Sequence, residues 1–195
     1  MNNSNNLNIP KAPPNKSRDR VYDIALVALF AALMAICSWI SIPATVPFTL
    51  QTLGVFLAIG LLGGKRGTVS ILCYLLLGAV GLPVFASFAG GLGYMMGPTG
   101  GYIIGFLCSA LSMWIIEKVC GRSYKVLVFS MFVGLIICYI FGTAWFMYVY
   151  SRSAGPIGLW AALSLCVIPY IVPDITKILI AFVLCKKLRR FVGGF

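Results

Sequence analysis

Long apolar stretches, separated by short polar or glycine-rich connections, dominate this chain. They cover about residues 24–42, 51–63, 67–82, 99–116, 126–148 and 157–188. A straight helix that crosses a bilayer needs about 20 residues, so the second and third stretches are short. Pro169 and Pro173 interrupt the last stretch, and we predict an outer-surface piece followed by a span from about Pro173. The pattern predicts an all-α integral membrane protein, a bundle of six transmembrane helices.

The composition supports the same class. Hydrophobic residues make up 61% of the 195 residues and charged residues only 10%, whereas soluble domains carry about 25% charged residues. We therefore predict a single transmembrane domain over residues 21–195 and no additional soluble catalytic domain. Residues 1–20 are polar, rich in Asn and Pro and then basic, which is typical of a flexible cytoplasmic tail.

The positions of the basic residues predict the orientation in the membrane. With the N-terminus inside, 13 of the 15 Lys and Arg residues lie on the inner side, and only Arg152 lies in an outer connection. Lys177, in the last apolar stretch, is the remaining one. This asymmetry predicts a multi-pass protein of the cell membrane with both termini cytoplasmic. It also explains the net charge of +11 without a nucleic-acid partner.

Residue types that support metal or covalent chemistry are scarce. The chain has no histidine, four acidic residues and seven cysteines that form no CxxC pair. A zinc or two-metal site is hard to build from this set, so we expect no metal and no cofactor. A membrane enzyme such as an acyl or lipid transferase would need a nucleophile and a base, or a metal centre. We therefore expect a protein that is not an enzyme.

Asp174 and Lys177 are the charged pair that the inner-side positions do not explain. Side chains three residues apart share one helix face, and either charge alone near the membrane centre would cost about 2.5–3.5 kcal/mol. Pro173 precedes Asp174, which predicts that Asp174 lies in the first turn of the final helix, where the helix dipole favours a carboxylate. The pair therefore predicts a binding site facing the bundle interior, or an internal salt bridge between helices.

Residues 81–102 form a segment with seven glycines and no charge. Glycines such as Gly90 and Gly91 allow the backbone to approach a ligand closely, and the aromatic residues offer apolar faces. We predict a pocket wall or lid here, since a free loop of this length without charge would be poorly solvated. An ordinary flexible loop with interfacial aromatics is the alternative.

The sequence of two further segments allows two interpretations each. Residues 41–52 contain two prolines followed by Thr49, Gln51 and Thr52 at the entry to a short span, a pattern of transporter binding sites, although a simple proline turn explains it equally well. In the first stretch, alanines four residues apart form a flat stripe for a partner helix or for internal packing. The stripe has two registers, Ala28 with Ala32 and Ala31 with Ala35.

Four motifs in this order resemble the BioY family, the biotin-specific substrate-binding (S) components of energy-coupling factor (ECF) transporters. The resemblance covers about residues 25–190. The motifs are Pro47-Phe-Thr-Leu-Gln-Thr52, Tyr74-Leu-Leu-Leu-Gly-Ala-Val-Gly-Leu-Pro-Val-Phe85, Gly97-Pro-Thr-Gly-Gly-Tyr102 and Pro173-Asp-Ile-Thr-Lys177. The resemblance implies a six-helix fold of the ECF S-component type with a biotin pocket near the outer face. It also implies a transmembrane coupling subunit and two cytoplasmic ABC ATPases as partners.

The resemblance also implies roles for particular residues. The Asp-x-x-Lys signature of the family falls on Asp174 and Lys177, and its alanine motif, which docks the coupling subunit, falls on one of the two alanine registers. Some members have an asparagine where this chain has Phe88-Ala89-Gly90. One hydrogen bond to the ligand is then expected from the backbone or from Gln51.

Biotin combines an apolar bicyclic ring, a ureido group and a carboxylate tail. Asp174 can accept from the ureido N–H groups, and Lys177 can donate to the ureido oxygen or to the carboxylate. The ring is expected among Phe85, Phe88 and Tyr102. We expect high-affinity biotin uptake energised by the partner ATPases. Three alternatives stay open: a stand-alone or proton-coupled carrier for another solute, an S component for a different vitamin, and a membrane enzyme.

Overall fold

Eight α-helices account for most of the part of the chain that this computed structural model describes, residues 16–44 and 46–192. Two short strands, β1 (Ser41–Ile42) and β2 (Phe48–Thr49), form an antiparallel hairpin, and Ala86–Phe88 forms a 3-10 turn. The helices are α1 (Lys16–Trp39), α2 (Gln51–Leu62), α3 (Gly64–Ala79), α4 (Leu92–Met95), α5 (Gly100–Cys120), α6 (Tyr124–Ser153), α7 (Leu159–Cys166) and α8 (Ile168–Val192).

Four of the described helices are long and apolar enough to cross a membrane, and they lie at Arg20–Trp39, Gly100–Cys120, Tyr124–Ser153 and Ile168–Arg189. This confirms a helical protein of the multi-pass membrane class. The shorter α2 has a different character, since ten of its 12 residues are buried. A helix that is apolar on every side and buried lies in the centre of a bundle, and α2 packs against α1, α3 and α8.

α5 and α6 form the most extensive helix pair. Their backbones approach closely because glycines face large side chains across the interface. A Cβ atom on Gly142 would lie 2.2 Å from the ring of Tyr102, and one on Gly101 would lie 2.2 Å from Cβ of Trp145. The glycines of this pair therefore determine where Tyr102 is placed.

Polar contacts gather at one end of the bundle, which we call the basic end. Arg66 at the start of α3 pairs with Asp23 of α1 at 3.0 Å. Glu117, near the end of α5, accepts a hydrogen bond from the backbone N–H of Gly64 at 2.8 Å and contacts Arg122 at 3.4 Å. The start of α1, the α2–α3 junction and the α5–α6 junction thus lie together.

The opposite end, which we call the cavity end, is held by side chains that donate to loop carbonyls. Trp39 at the end of α1 donates to the carbonyl of Pro83 at 2.8 Å. Trp145 of α6 donates to the carbonyl of Gly97 at 3.0 Å. The end of α1, the segment between α3 and α5 and the later part of α6 therefore meet here.

The two alanine registers lie on different faces of α1. Ala31 and Ala35 are 3% and 6% exposed and pack in the core, whereas Ala28 and Ala32 lie on the exposed face. The helix begins at Lys16, inside the segment predicted as a tail, and residues 1–15 lie outside the described part. Only the Ala28 and Ala32 register is accessible to another protein.

The prediction for the start of the last helix was wrong. α8 begins at Ile168, and Asp174 lies in its second turn rather than its first. The break falls at Val167, where φ is −125° and ψ is −57°. Pro169 therefore takes the first turn, where a missing N–H costs no helical hydrogen bond, and Pro173 is accommodated inside the helix.

Replacing Gly142 by alanine should lower the thermal stability, because the added methyl group would overlap the Tyr102 ring. Overpacking of this kind costs about 1–3 kcal/mol, of which the better helix propensity of alanine recovers at most about 1 kcal/mol. Gly93→Ala is the matched control, since a Cβ there meets nothing within 4 Å. The measurement is thermal unfolding of the detergent-purified protein. Equal melting temperatures for the two variants would contradict the close α5–α6 contact.

Candidate functional site

A cavity lies at the cavity end, between the β1–β2 hairpin, the start of α2, and helices α5, α6 and α8. The cavity and its open mouth together contain about 610 Å³ of empty space. Polar side chains line one side of the cavity, and apolar side chains line the other. The lining residues are Val46, Pro47, Thr49, Gln51, Thr52, Ala86, Tyr94, Thr99, Tyr102, Ile103, Phe106, Cys138, Tyr139, Cys166, Tyr170, Asp174 and Lys177.

Asp174 and Lys177 form the charged centre of this cavity. Lys177 Nζ lies 2.7 Å from Asp174 Oδ1, and the two residues are only 5% and 3% exposed. Both project from the same face of α8, as the spacing of three residues predicts. The pair is neutral overall, which reduces the cost of burying the two charges in an apolar bundle.

Two hydroxyl groups from other elements complete the environment of the carboxylate. Thr52 of α2 donates to Asp174 Oδ1 at 3.1 Å, and Tyr139 of α6 donates to Oδ2 at 2.5 Å. Hydrogen bonds to a charged acceptor are short and strong. Asp174 therefore joins α2, α6 and α8 through one side chain and retains acceptor capacity on the cavity side.

The ammonium group of Lys177 has its own set of partners. It donates to the backbone carbonyl of Thr49 at 2.6 Å and lies 4.4 Å from the centre of the Phe48 ring. The hairpin thus contributes both a carbonyl dipole and an aromatic face to hold the charge. Asp174 and Thr49 take two of the three ammonium N–H donors, so one donor is left for a ligand.

Gln51 begins α2 and presents its amide to the cavity, although it is only 5% exposed. Its Oε1 accepts from the hydroxyl of Thr49 at 3.0 Å, and its Nε2 donates to the hydroxyl of Tyr74 at 2.6 Å. An amide has two N–H donors, and one of them remains available. The polar side of the cavity thus offers a carboxylate, an ammonium group and an amide.

Aromatic and aliphatic side chains form the other side of the cavity. Tyr102 lines it and shares a hydrogen bond of 3.0 Å with Thr143. Ile103 and Phe106 follow on the same helix, and Tyr170 of α8 donates to the carbonyl of Val46. A mainly apolar cavity with a few directed polar groups is typical of a small-molecule site.

Not every predicted site residue lies at this cavity. Asp174, Lys177, Gln51 and Tyr102 line it, but Phe85 lies behind it, stacked on Tyr94 with ring centres 5.7 Å apart.

The other predicted positions in the glycine-rich segment lie further away. Phe88 is 63% exposed and stacks on Trp39 at 5.1 Å. Gly91 has a φ of +90° and donates to the carbonyl of Gly78, and a Cβ on Gly90 would lie 2.2 Å from the oxygen of Leu82. These glycines shape the loop backbone.

Sequence reasoning missed Tyr139 and Tyr170, and it included Tyr94 only as one of the aromatic residues of the glycine-rich segment. Tyr139 and Tyr170 lie in apolar stretches, where periodicity does not distinguish a lipid-facing tyrosine from a cavity-facing one. The signal that could have found Tyr139 is its position deep in the fifth apolar stretch, where a tyrosine hydroxyl needs a hydrogen-bond partner.

The arrangement suits binding better than catalysis. In the described part of the chain, no group of three His, Cys, Asp or Glu residues could hold a metal ion. The carboxylate and the ammonium group are paired with each other in a buried salt bridge, so their charges are balanced within the protein. A ligand with adjacent N–H and C=O groups on an apolar body complements the cavity.

Comparisons with known proteins agree with one another. A model of the BioY family matches residues 7–194. A Pyrococcus horikoshii protein named "Probable biotin transporter BioY" is 40% identical over 168 residues, which cover 86% of this chain and 96% of that protein. "Biotin transporter BioY" of Thermotoga maritima is 37% identical over 163 residues, 83% of this chain and 92% of that one.

A solved structure is similar throughout the fold. It is the 2.1 Å crystal structure of the S-component for biotin from an ECF-type ABC transporter, with a TM-score of 0.80 and 28% sequence identity. The match covers 94% of this chain and 97% of that chain.

Removing the charge of Lys177 alone should destabilise the bundle. In Lys177→Met the Asp174 carboxylate stays buried without its counter-ion, and breaking a buried pair in this way costs about 3–5 kcal/mol. The double variant Asp174→Asn/Lys177→Met should recover much of the lost stability. Thermal unfolding in detergent measures both.

The control for this cycle is Arg66→Met at the basic end. It breaks the pair with Asp23, whose side chains are 40% and 37% exposed, and should cost less than about 1 kcal/mol. If Lys177→Met and the double variant unfold at the same temperature, the buried pair is not coupled electrostatically.

Proposed function

The chain belongs to the BioY family, and we propose that it binds biotin for uptake, as the S component of an ECF-type ABC transporter. The observation that carries this proposal is the buried Asp174–Lys177 pair at the centre of a largely apolar cavity. Biotin requires hydrogen-bond acceptors, donors and an apolar surface together, and this cavity supplies all three.

In this proposal, the carboxylate of Asp174 accepts hydrogen bonds from the ureido N–H groups. Its Oδ2 accepts one hydrogen bond, from Tyr139, so a ligand N–H can be added without displacing a protein donor. Lys177 donates its remaining N–H to the ureido oxygen or to the carboxylate tail. Gln51 supplies the further hydrogen bond that the glycine-rich segment lacks.

The bicyclic ring of biotin lies against the apolar wall in this proposal. Tyr102 takes part directly, because its ring lines the cavity. Phe85 supports this wall from outside the cavity, since it packs on Tyr94, which also lines the cavity. Phe88, Gly90 and Gly91 shape the segment that closes over the ligand.

Six helices cross the cell membrane in the proposed topology: α1, α2, α3, α5, α6 and α8. The contacts at the two ends support this count, because the basic end gathers the start of α1, the α2–α3 junction and the α5–α6 junction. The 13 basic residues of the inner side belong to the same end or to the two termini. The positive-inside rule then places both termini in the cytoplasm.

A transmembrane coupling subunit docks on α1 in this proposal, and two cytoplasmic ATPases supply the energy. The exposed Ala28 and Ala32 offer a flat surface to another helix. Ala31 and Ala35 are buried in the core and serve internal packing. No G-x-x-x-x-G-K-S/T motif occurs in the sequence, so the proposed energy source lies in the partners.

Titration of the detergent-purified protein from biotin-depleted cells tests the ligand. Wild-type protein should bind biotin tightly, and Asp174→Asn should weaken binding about 10- to 100-fold, since a hydrogen bond to a charged group contributes about 1.5–3 kcal/mol. Isothermal titration calorimetry measures the affinity.

Asp23→Asn is the matched control, because it removes a carboxylate at the basic end and should bind like wild type. Absence of binding by a well-folded wild type would reject biotin as the ligand. An unchanged affinity in Asp174→Asn would reject the assignment of the ureido group to Asp174.

Substitutions on the exposed face of α1 test the partner surface. Ala28→Leu and Ala32→Leu should leave biotin affinity unchanged but lower ATP-driven uptake about tenfold, the effect of losing about 1.4 kcal/mol of docking free energy. Uptake is measured in vesicles that contain the coupling subunit and both ATPases. Ala144→Leu, on the exposed face of α6, is the control and should retain uptake. Uptake by vesicles without the partners would favour a stand-alone carrier.

A further inference from the structure

A hydrogen-bond relay extends from the cavity to the segment after α3. Its central residue is Tyr74 of α3, whose side chain is completely buried and does not line the cavity. The Tyr74 hydroxyl accepts from Nε2 of Gln51 at 2.6 Å and donates to the carbonyl of Val84 at 3.1 Å. The Tyr74 and Phe85 rings pack nearly perpendicular to each other, so packing fixes the Tyr74 ring in place.

The relay has a defined direction. A phenolic hydroxyl has one proton, and that of Tyr74 is donated in the hydrogen bond to the carbonyl of Val84. Towards Gln51 the hydroxyl can therefore only accept, which requires the N–H side of the amide to face Tyr74. The amide oxygen then faces Thr49, whose hydroxyl donates to it.

Thr49 joins this amide to the charged pair. Its hydroxyl accepts from the backbone N–H of Gln51 at 3.2 Å, and its carbonyl accepts from Lys177 at 2.6 Å. The two groups that offer N–H donors to a ligand, Gln51 and Lys177, are thus held by the same residue.

We propose that Tyr74 is a positioning residue for ligand binding. Its hydroxyl holds the Gln51 amide in the orientation that offers an N–H donor to the cavity, and it ties that amide to the backbone of the glycine-rich segment at Val84. Without the hydroxyl, the amide can rotate by half a turn and present its oxygen instead, which repels a ligand carbonyl. This inference rests on the proposed biotin-binding function.

Ser38 provides a matched control for the relay. Its hydroxyl is also buried, donates to the same carbonyl of Val84 at 2.5 Å and hydrogen-bonds the Tyr74 hydroxyl, but it does not contact Gln51, so Ser38→Ala keeps the bond between Tyr74 and the Gln51 amide. Removing either hydroxyl takes one hydrogen bond from Val84. Only the loss of the Tyr74 hydroxyl also removes a hydrogen bond from the side-chain amide of Gln51.

Biotin titration of single and double variants tests the proposal. Tyr74→Phe should weaken binding about tenfold, the effect of one lost hydrogen bond of about 1.4 kcal/mol. In the Gln51→Ala background the same substitution should change affinity less than about twofold, because coupled residues give non-additive effects. Ser38→Ala should bind like wild type, and thermal unfolding should show that all variants are folded.

A spectroscopic readout follows the orientation directly. Gln51 is the only glutamine in the chain, so selective 15N-glutamine labelling gives a single pair of side-chain amide signals. In ligand-free protein Tyr74→Phe should move these signals, whereas Ser38→Ala should move them much less, because it keeps the hydrogen bond between Tyr74 and Gln51. Biotin should shift them in wild type and in Ser38→Ala, and much less in Tyr74→Phe.

Three results would overturn the inference: equal losses of affinity in Tyr74→Phe and Ser38→Ala, additive effects of Tyr74→Phe and Gln51→Ala, or amide signals that Tyr74→Phe leaves unmoved. The two proposals fail in distinguishable ways. If wild-type protein binds no biotin, the proposed function fails. If wild-type protein binds and Tyr74→Phe binds equally well, only the positioning role fails.

Discussion

The need to bury one carboxylate and one ammonium group inside an apolar bundle determines much of this structure. Neither charge could remain there alone, and together they still require hydrogen bonds on every side. Asp174 receives donors from α2, α6 and α8, and Lys177 is held by the hairpin before α2. The short α2 is central for the same reason, since its first turn must reach α8. The helices are thus arranged around one neutral pair, and the cavity is the space beside it.

This arrangement also prepares the cavity for a ligand. The protein itself supplies the donors to Asp174 and the acceptors of Lys177, and each charged group keeps capacity for one further hydrogen bond. Binding therefore adds contacts without breaking those of the protein, which lowers the cost of ordering side chains. The relay through Tyr74 extends this preparation to the segment that carries Val84 and Phe85.

Much of this site could be predicted from the sequence, because charge in an apolar stretch is a strong signal. The positions of Asp174 and Lys177 reveal them, because they are charged residues in an apolar stretch that the inner-side positions do not explain, and Gln51 is revealed by its place at the entry to a short span. Tyr139 and Phe48 did not, because a tyrosine or phenylalanine in such a chain is equally suited to lipid, core and cavity. The start of α8 was misplaced because two prolines compete for the first turn, and the helix break at Val167 decides between them. The distinction between the two alanine registers required the packing of α1, since both have the same spacing.

The neutrality of the Asp174–Lys177 pair has an electrical consequence. Carrying one elementary charge through a membrane potential of 100 mV involves about 2.3 kcal/mol. A salt-bridged pair contributes no net charge, so the empty site can change its depth or tilt in the bilayer without electrical work on this pair. A bound anion would alter that, because its carboxylate would then be the net charge at this depth. At this site, the contribution to the voltage sensitivity of any such movement would consequently be set by the valence of the bound ligand.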